Sequence, residues 1–187
     1  QDDGIYDAMN KGANIAKGSW LNFMNAGDVY VNNNVLMDVF NIKHLDRYSL
    51  LLGNTIIKYE GMTRRFEGSI NKMKYGTQFV HQSTFISKDY QMMNLYDVEQ
   101  EIAADYKFFY KAINDGEKYL ELKKDICLFS SGGISDTQRI KSLFAGLIIS
   151  ISISFNFAAI VVYVNNIFKS ILKLVVKSII PKKIIDK

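Results

Sequence analysis

The stretch Ser19-Trp20-Leu21-Asn22-Phe23-Met24-Asn25-Ala26-Gly27-Asp28 decides how the chain is read. Trp20 to Met24 is a short, mostly apolar run bounded by turn formers, the pattern of a buried strand. It stops abruptly at Asn25-Ala26-Gly27-Asp28. A carboxylate beside a glycine, just past the carboxyl end of a strand, is where open α/β sheets place their ligands. The same four residues also make an ordinary turn, in which glycine supplies a positive φ and aspartate bonds its own backbone.

Upstream stands Asp3-Gly4-Ile5-Tyr6-Asp7-Ala8-Met9-Asn10-Lys11-Gly12. Residues 5–17 have helical spacing, with Asp2 or Asp3 as cap and Gly18 as stop. Ala8, Met9, Gly12, Ala13 and Ala16 make a small-residue face able to lie close on a sheet. Downstream, Asn34 can cap a short helix over 35–40. Ser49–Leu52 and Asn54–Tyr59 read as β-rich runs separated by Gly53, and Thr63–Phe66 as a strand pairing back across the Glu60-Gly61 turn. Thr77–Ser87 reads as a further strand holding His81-Gln82-Ser83. Ile102, Tyr106, Phe109 and Ile113 give one face of a helix over 99–114. Tyr119–Phe129 reads as a strand interrupted by Lys123-Lys124-Asp125. Ser135 and Gln138 have capping-box form and open a helical C-terminal region.

The totals are those of one globular domain: 187 residues, 48% hydrophobic and 22% charged. The single cysteine, Cys127, cannot form an internal disulfide, which favours a reducing compartment. With no histidine near it in sequence, it reads as a packing residue. The net charge of +4 is a property of the tail. Residues 139–187 hold eight Lys/Arg and one acid, net +7, leaving 15 basic and 18 acidic residues, net −3, on the rest. A uniformly basic nucleic-acid surface is excluded by that distribution, so nucleic acid is not an expected partner.

The run DGIYDAMNKG, the strand ending in Asn-Ala-Gly-Asp, then His81-Gln82-Ser83, Ala104-Asp105-Tyr106 and Gly132-Gly133-Ile134-Ser135, in that order, resembles the family-2 glycosyltransferases of bacterial surface-polysaccharide biosynthesis (colanic acid, capsule and O-antigen type). The likeness covers about residues 1–137. It implies an α/β, GT-A-like fold. It also implies that the first βαβ units of that fold precede Asp3-Gly4, so the chain is expected to be the C-terminal part of a longer enzyme. The expected division is 1–137, the C-terminal portion of a catalytic domain, and 138–187, a membrane-associating helical segment.

Glycosyl transfer from a nucleotide-diphosphate sugar needs charge compensation for the leaving diphosphate and a base for the acceptor hydroxyl. The resemblance gives the first task to Asp28, as ligand of Mn²⁺ or Mg²⁺, hard cations that keep several water and phosphate ligands. Many relatives carry two or three acids there, whereas this chain has one. Asp105 is the expected general base, in the first turn of its helix, where the helix dipole favours an anion; serving only the dipole is the plain alternative, and Glu101 is its rival. His81 and Gln82 are expected contacts of phosphate or acceptor, against the plainer reading of a structural histidine. Asp2, Gly4, Asn10, Lys11 and Asn25 match the donor side, although Lys11 also reads as a solvated helix lysine. Gly132-Gly133 reads as a mobile lid or an inert loop. Trp20, Tyr75 and Tyr90 are candidates for stacking on sugar rings, or plain core.

Leu143–Val164 is 22 residues without a charge, 17 of them apolar, long enough to cross a bilayer but weakened by Ser150, Ser152, Ser154 and Asn156. Lys169, Lys173 and Lys177 then follow at spacing four among aliphatic residues, the mark of an interfacial helix. The expectation is a helical hairpin in or on the inner leaflet, on the cytoplasmic side of the cell membrane, suited to a lipid-linked glycan acceptor; a core helix pair is the alternative. The functional expectation is an inverting glycosyltransferase. The rival from another class is a non-catalytic, membrane-associated remnant lacking the nucleotide-binding half.

Overall fold

The computed structural model describes residues 1–59, 61–77, 79–130 and 138–179, with side chains through Val176. The elements in order are α1 (Ile5–Ile15), β1 (Trp20–Leu21), β2 (Val29–Tyr30), α2 (Val35–Phe40), β3 (Leu50–Tyr59), β4 (Met62–Phe66), β5 (Thr84–Ser87), α3 (Lys88–Met93), α4 (Ala104–Asn114), β6 (Tyr119–Ser130), α5 (Arg139–Ile153) and α6 (Phe157–Ile179). The strands form one sheet in the order β1-β5-β3-β6-β2, with β4 paired to β3. Among the described residues β3 and β6 pair parallel and the other pairs are antiparallel.

Leu50, Leu51 and Leu52 are all buried, which identifies β3 as covered on both faces. Alternation sends Leu50, Leu52 and Ile86 into a core with Phe79, Tyr106, Phe108 and Phe109. It sends Leu51 and Phe85 the other way, to Val35, Val39, Leu122 and Ile126. Thus α1, α4 and the start of the tail hairpin cover one face and α2 the other.

Gly53 does not separate two strands. It lies within continuous β3, where an added Cβ would stand 2.1 Å from Ile126 Cγ1 and 3.0 Å from the Ser83 carbonyl. The interruption expected at Lys123–Asp125 is a bulge. The pairing steps from Leu52↔Glu121 to Asn54↔Asp125, and Lys123 turns through φ 52. The β3–β4 hairpin matches the expectation, with Gly61 at φ 78 in the turn.

Other expectations need correction. Helix α1 ends at Ile15, before Gly18, and its cap residue Gly4 makes no side-chain capping bond; Asp7 instead accepts from the Asp3 N–H at 2.9 Å. The strand expected over 77–87 is only Thr84–Ser87, because His81–Ser83 winds into a buried 3₁₀ turn. The short α3 was not foreseen; its cap is Ser87, which accepts from the Tyr90 N–H at 3.2 Å. Helix α4 starts five residues later than expected, at Ala104, because Ala103 stands at φ 68, and it is buried on more than one face. Ser135 and Gly132-Gly133 lie outside the described residues. Helix α5 opens at Arg139 after Gln138, which makes no side-chain capping bond.

The uncharged run 143–164 is not one helix. It breaks at Ser154–Asn156 into the hairpin α5–α6. Gly146 permits close packing there, since a Cβ would lie 2.9 Å from the Tyr163 ring. Ser150 Oγ donates to the Lys74 carbonyl at 2.9 Å and Tyr106 Oη to the Met73 carbonyl at 2.7 Å, so the hairpin and α4 grip one 3₁₀ turn, Met73–Tyr75. Among the described residues one helix, over Phe157–Val176, is long and apolar enough to cross a membrane; a core helix passes the same test, yet only 17% of that window is buried.

Candidate active site

The apolar run from Trp20 forms a ladder for only two residues before Asn22 intervenes. Asn22 Nδ2 donates to the carbonyls of Gln82 (3.0 Å) and Thr84 (2.9 Å), and its Oδ1 accepts from Tyr30 Oη at 2.8 Å. One amide thereby ties the approach to Asp28, the His81–Ser83 turn and β2 together. Asn25 to Asp28 then closes a turn, with the Asp28 N–H donating to the Asn25 carbonyl at 3.1 Å and Gly27 at φ 93. The four residues form the turn, and Asp28 stands at its end.

Asp28 is half-buried. Its Oδ2 accepts from Gln82 Nε2 at 2.9 Å and its Oδ1 from the Ser130 N–H at 3.3 Å. Gln82 is only 4% exposed, so this donor is held in place. The turn beneath is fixed by the buried Thr55–Ser83 hydroxyl pair at 2.7 Å. Next to Gln82, His81 sits in an aromatic cage of Phe23, Tyr96 and Phe109, with ring centroids 5.4 to 5.7 Å away. Its Nε2 shares a hydrogen with Tyr96 Oη at 3.0 Å. Burial pushes the imidazole below its ordinary range, and Asp105 opposes that shift through space.

Asp105 stands in the first turn of α4, as expected, and accepts from Tyr6 Oη at 3.1 Å through Oδ1. Burial, then the charge of Asp105, holds the Tyr6 phenol well above its usual value, and the same two causes raise Tyr96. The Tyr6 and Tyr96 rings lie 5.6 Å apart. Hydrogen bonds join Asp28 to Gln82, His81 to Tyr96 and Tyr6 to Asp105, while Gln82 and His81 are chain neighbours and Tyr6 meets Tyr96 through a tilted ring contact. These residues come from α1, the Asn25–Asp28 turn, the His81–Ser83 turn, the segment before α4 and α4 itself. The rival Glu101 is exposed and faces Lys141 of α5 at 3.8 Å.

The residues expected on the donor side have varied surroundings. Asn10 clamps Tyr96 at both ends of its amide: Nδ2 donates to the Tyr96 carbonyl and Oδ1 accepts from the Tyr96 N–H, each at 2.9 Å. Lys11 Nζ is within bonding distance of Asp7 (2.6 Å), the Gln1 carbonyl (2.9 Å) and Asp2 (3.3 Å), so all three of its donors have acceptors. Gly4 stands at φ 127 with open space around it, and Asn25 is exposed. Trp20 and Tyr90 line a separate open cavity of about 610 Å³ with Arg47, Tyr48 and Lys118. Trp20 pairs with Ser87, at the far end of β5 from the His81–Ser83 turn. Tyr75 is half-buried, with Lys74 Nζ 5.1 Å from its ring centre. Cys127 is fully buried, and burial followed by the charge of Asp28 pushes its thiol up to about 12, so it is no nucleophile.

Sequence reading missed Asn22, Tyr6 and Tyr96. Only Asn22 carries a local signal, a polar residue interrupting an apolar strand. Among the described residues no group of three His, Cys, Asp or Glu side chains comes together. A divalent cation at Asp28 would have one protein oxygen and would fill its shell with phosphate oxygens and water, a donor set that suits Mg²⁺ or Mn²⁺ bound together with a diphosphate. Each carboxylate oxygen of Asp28 has one donor and retains capacity for a second partner. The residues present fit a cation to that extent.

No family model matches the chain. Among curated proteins it is similar to the PGL/p-HBAD biosynthesis glycosyltransferases of Mycobacterium bovis and Mycobacterium tuberculosis. The identity is 26% over 110 residues, covering 57% of this chain and 43% of theirs. Among solved structures it is similar to S. aureus TarS 1-349, with a TM-score of 0.58 and 14% identity over 89% of this chain and 52% of that one. The likeness in structure shows the fold, which is α/β and GT-A-like. The chain spans about half the length of these relatives.

Proposed function

We propose that this chain carries the acceptor-facing part of an inverting glycosyltransferase site, which moves a sugar from a nucleotide-diphosphate donor to a lipid-linked glycan in bacterial surface-polysaccharide synthesis. The observation that supports the reading is the seating of Asp28 on Gln82 of the His81–Ser83 turn and of Asp105 on Tyr6, whose ring packs on Tyr96, the partner of His81, on a GT-A-like sheet. The names of the curated relatives support a glycosyl-transfer role.

In this reading Asp105 takes the proton of the acceptor hydroxyl. Asp28, held by Gln82 and the Ser130 N–H, is the ligand for Mn²⁺ or Mg²⁺. The cation, when bound, neutralises charge building on the departing diphosphate. His81, caged by aromatic rings and bonded to Tyr96, and Gln82, bonded to Asp28, act in this reading through the turn they fix and not as free contacts of phosphate or acceptor. Asp2, Gly4, Asn10, Lys11 and Asn25 flank the donor side, with Lys11 exchanging Asp2 or Asp7 for phosphate oxygen. Asn10 acts there through Tyr96.

In this reading the hairpin lies on the cytoplasmic leaflet. Its apolar stripe Phe157, Val161, Val164, Phe168 and Leu172 is exposed, and Lys169 and Lys173 flank it. Residues 138–179 contain no acid. Anionic lipid adds roughly 1 kcal/mol per lysine near the surface. The test is release of nucleoside diphosphate from a panel of nucleotide sugars by the full-length protein with Mn²⁺ or Mg²⁺ and a lipid-linked acceptor. Turnover that Asp28→Ala and Asp105→Asn each abolish is the expected result. Absence of nucleotide binding in calorimetry, with vesicle binding retained, would replace this reading by the non-catalytic one.

A further inference from the structure

Asp105 presents two carboxylate oxygens, and the fold treats them differently. Oδ1 accepts the phenolic hydrogen of Tyr6 at 3.1 Å, across 99 residues of sequence. We propose that Tyr6 is a positioning residue for the base: its phenol holds Oδ1 of Asp105, so that Oδ2 is the oxygen that takes the acceptor's proton. The inference rests on the assignment of Asp105 as general base and adds to it a residue that nothing else assigns.

Three features support it. Tyr6 lies on α1, and its ring is packed in the core against Tyr96, whose backbone Asn10 of the same helix grips at both ends. The phenol is therefore fixed in direction from two elements. Burial and the neighbouring carboxylate keep the phenol protonated, so it remains a donor throughout the working range. The neighbouring titratable groups have partners of their own. Tyr96 is protonated by the same causes and engaged with His81, whose imidazole burial pushes down, Lys107 on the same turn of α4 is paired with Asp97 at 2.7 Å, and Glu101 faces Lys141 at 3.8 Å. No cation competes with Tyr6 for Oδ1 among these neighbours. In the transfer the acceptor oxygen bonds to the anomeric carbon and its proton passes to Oδ2. The bond from that carbon to the diphosphate oxygen breaks, and its electron pair leaves with the diphosphate.

A phenol that orients the base acts on the chemical step and not on donor binding, so its loss falls on kcat. The experiment is kcat and donor KM for the full-length protein and its Tyr6→Phe variant, with Asp105→Asn and Tyr96→Phe alongside. The expected result for Tyr6→Phe is a loss of roughly tenfold in kcat, with donor KM unchanged. Tyr96→Phe should not reproduce that split, because its phenol engages His81. Should Tyr6→Phe fail to fold, 4-aminophenylalanine at position 6 keeps the ring with a weaker donor, and kcat should fall while donor KM holds. A Tyr6→Phe variant with wild-type kcat, or one that loses kcat and donor affinity together, overturns the proposal while Asp105→Asn remains inactive. Retained turnover in Asp105→Asn overturns the base assignment itself, and the role of Tyr6 with it.

Discussion

Replacing Gly53 by alanine tests how the sheet supports the site. The new Cβ would stand 2.1 Å from Ile126 Cγ1, 3.2 Å from Ile126 Cβ and 3.0 Å from the Ser83 carbonyl. An ordinary carbon–carbon contact is about 3.5–4.0 Å, so the first approach is short by about 1.5 Å. Ile126 is 1% exposed, and the Ser83 carbonyl is backbone of the turn that carries His81 and Gln82 and cannot swing aside as a side chain could. Overpacking a full core costs about 1–3 kcal/mol, and this position belongs at the upper end, about 3 kcal/mol. Ile126→Ala alone should cost about 2–5 kcal/mol through lost contact and cavity. In the double variant Cγ1 is gone and the added methyl occupies part of the vacated space. The two costs should then fall short of additive by at least ~1 kcal/mol, well outside the ~0.5 kcal/mol scatter of independent sites. Urea unfolding with fitted m-values measures all four proteins of the cycle. Gly53→Ala within ~0.5 kcal/mol of wild type, or strict additivity with Ile126→Ala, would refute the close approach of β3 to the β6 bulge.

Other outcomes follow from the same geometry. His81 is buried with its folded-state pKa depressed, so the unfolded chain binds more protons; the associated stability is complete above about pH 6.5 and lost as pH falls below it. Acid titration of stability should show that loss in wild type and not in His81→Gln. Asn10→Ala leaves both the N–H and the C=O of buried Tyr96 without their partner and should destabilise by about 2–3 kcal/mol, read by thermal or urea unfolding. Vesicles containing anionic lipid should co-float with the wild-type protein. Lys169→Glu with Lys173→Glu should reduce binding at least tenfold, and added salt should do likewise; equal binding to neutral vesicles would remove the electrostatic part.

Local features were legible where the physics is local. The β3–β4 hairpin follows from alternation around Gly61, and the Asn25–Asp28 turn from a glycine that needs positive φ. The polar group at Lys123–Asp125 marked a real irregularity. Gly53 was visible, but its role was not, since a close approach by Ile126 lies 73 positions away and leaves no local mark. Ala103 carries no signal for its left-handed backbone, so α4 was started too early. The turn at His81–Ser83 is hidden in an apparent strand, because its stability comes from Thr55 on β3 and from Asn22 just past β1. Asp28, His81 and Asp105 were legible as residues. Tyr6, Tyr96 and Asn22 bond to partners 60 to 99 positions away, and neither the run that holds Tyr6 nor the strand that leads to Asn22 marks those partners locally.

The proposal that Asp28 holds a cation and Asp105 is the base of one reaction is tested most directly by separating the two. Electron paramagnetic resonance of Mn²⁺ with nucleoside diphosphate, on the full-length protein, reports binding at Asp28, while nucleotide-sugar turnover reports Asp105. Asp28→Ala should weaken Mn²⁺–diphosphate binding at least tenfold, and Asp105→Asn should leave that binding intact while stopping turnover. Binding indifferent to Asp28→Ala, with turnover indifferent to Asp105→Asn, would contradict the account.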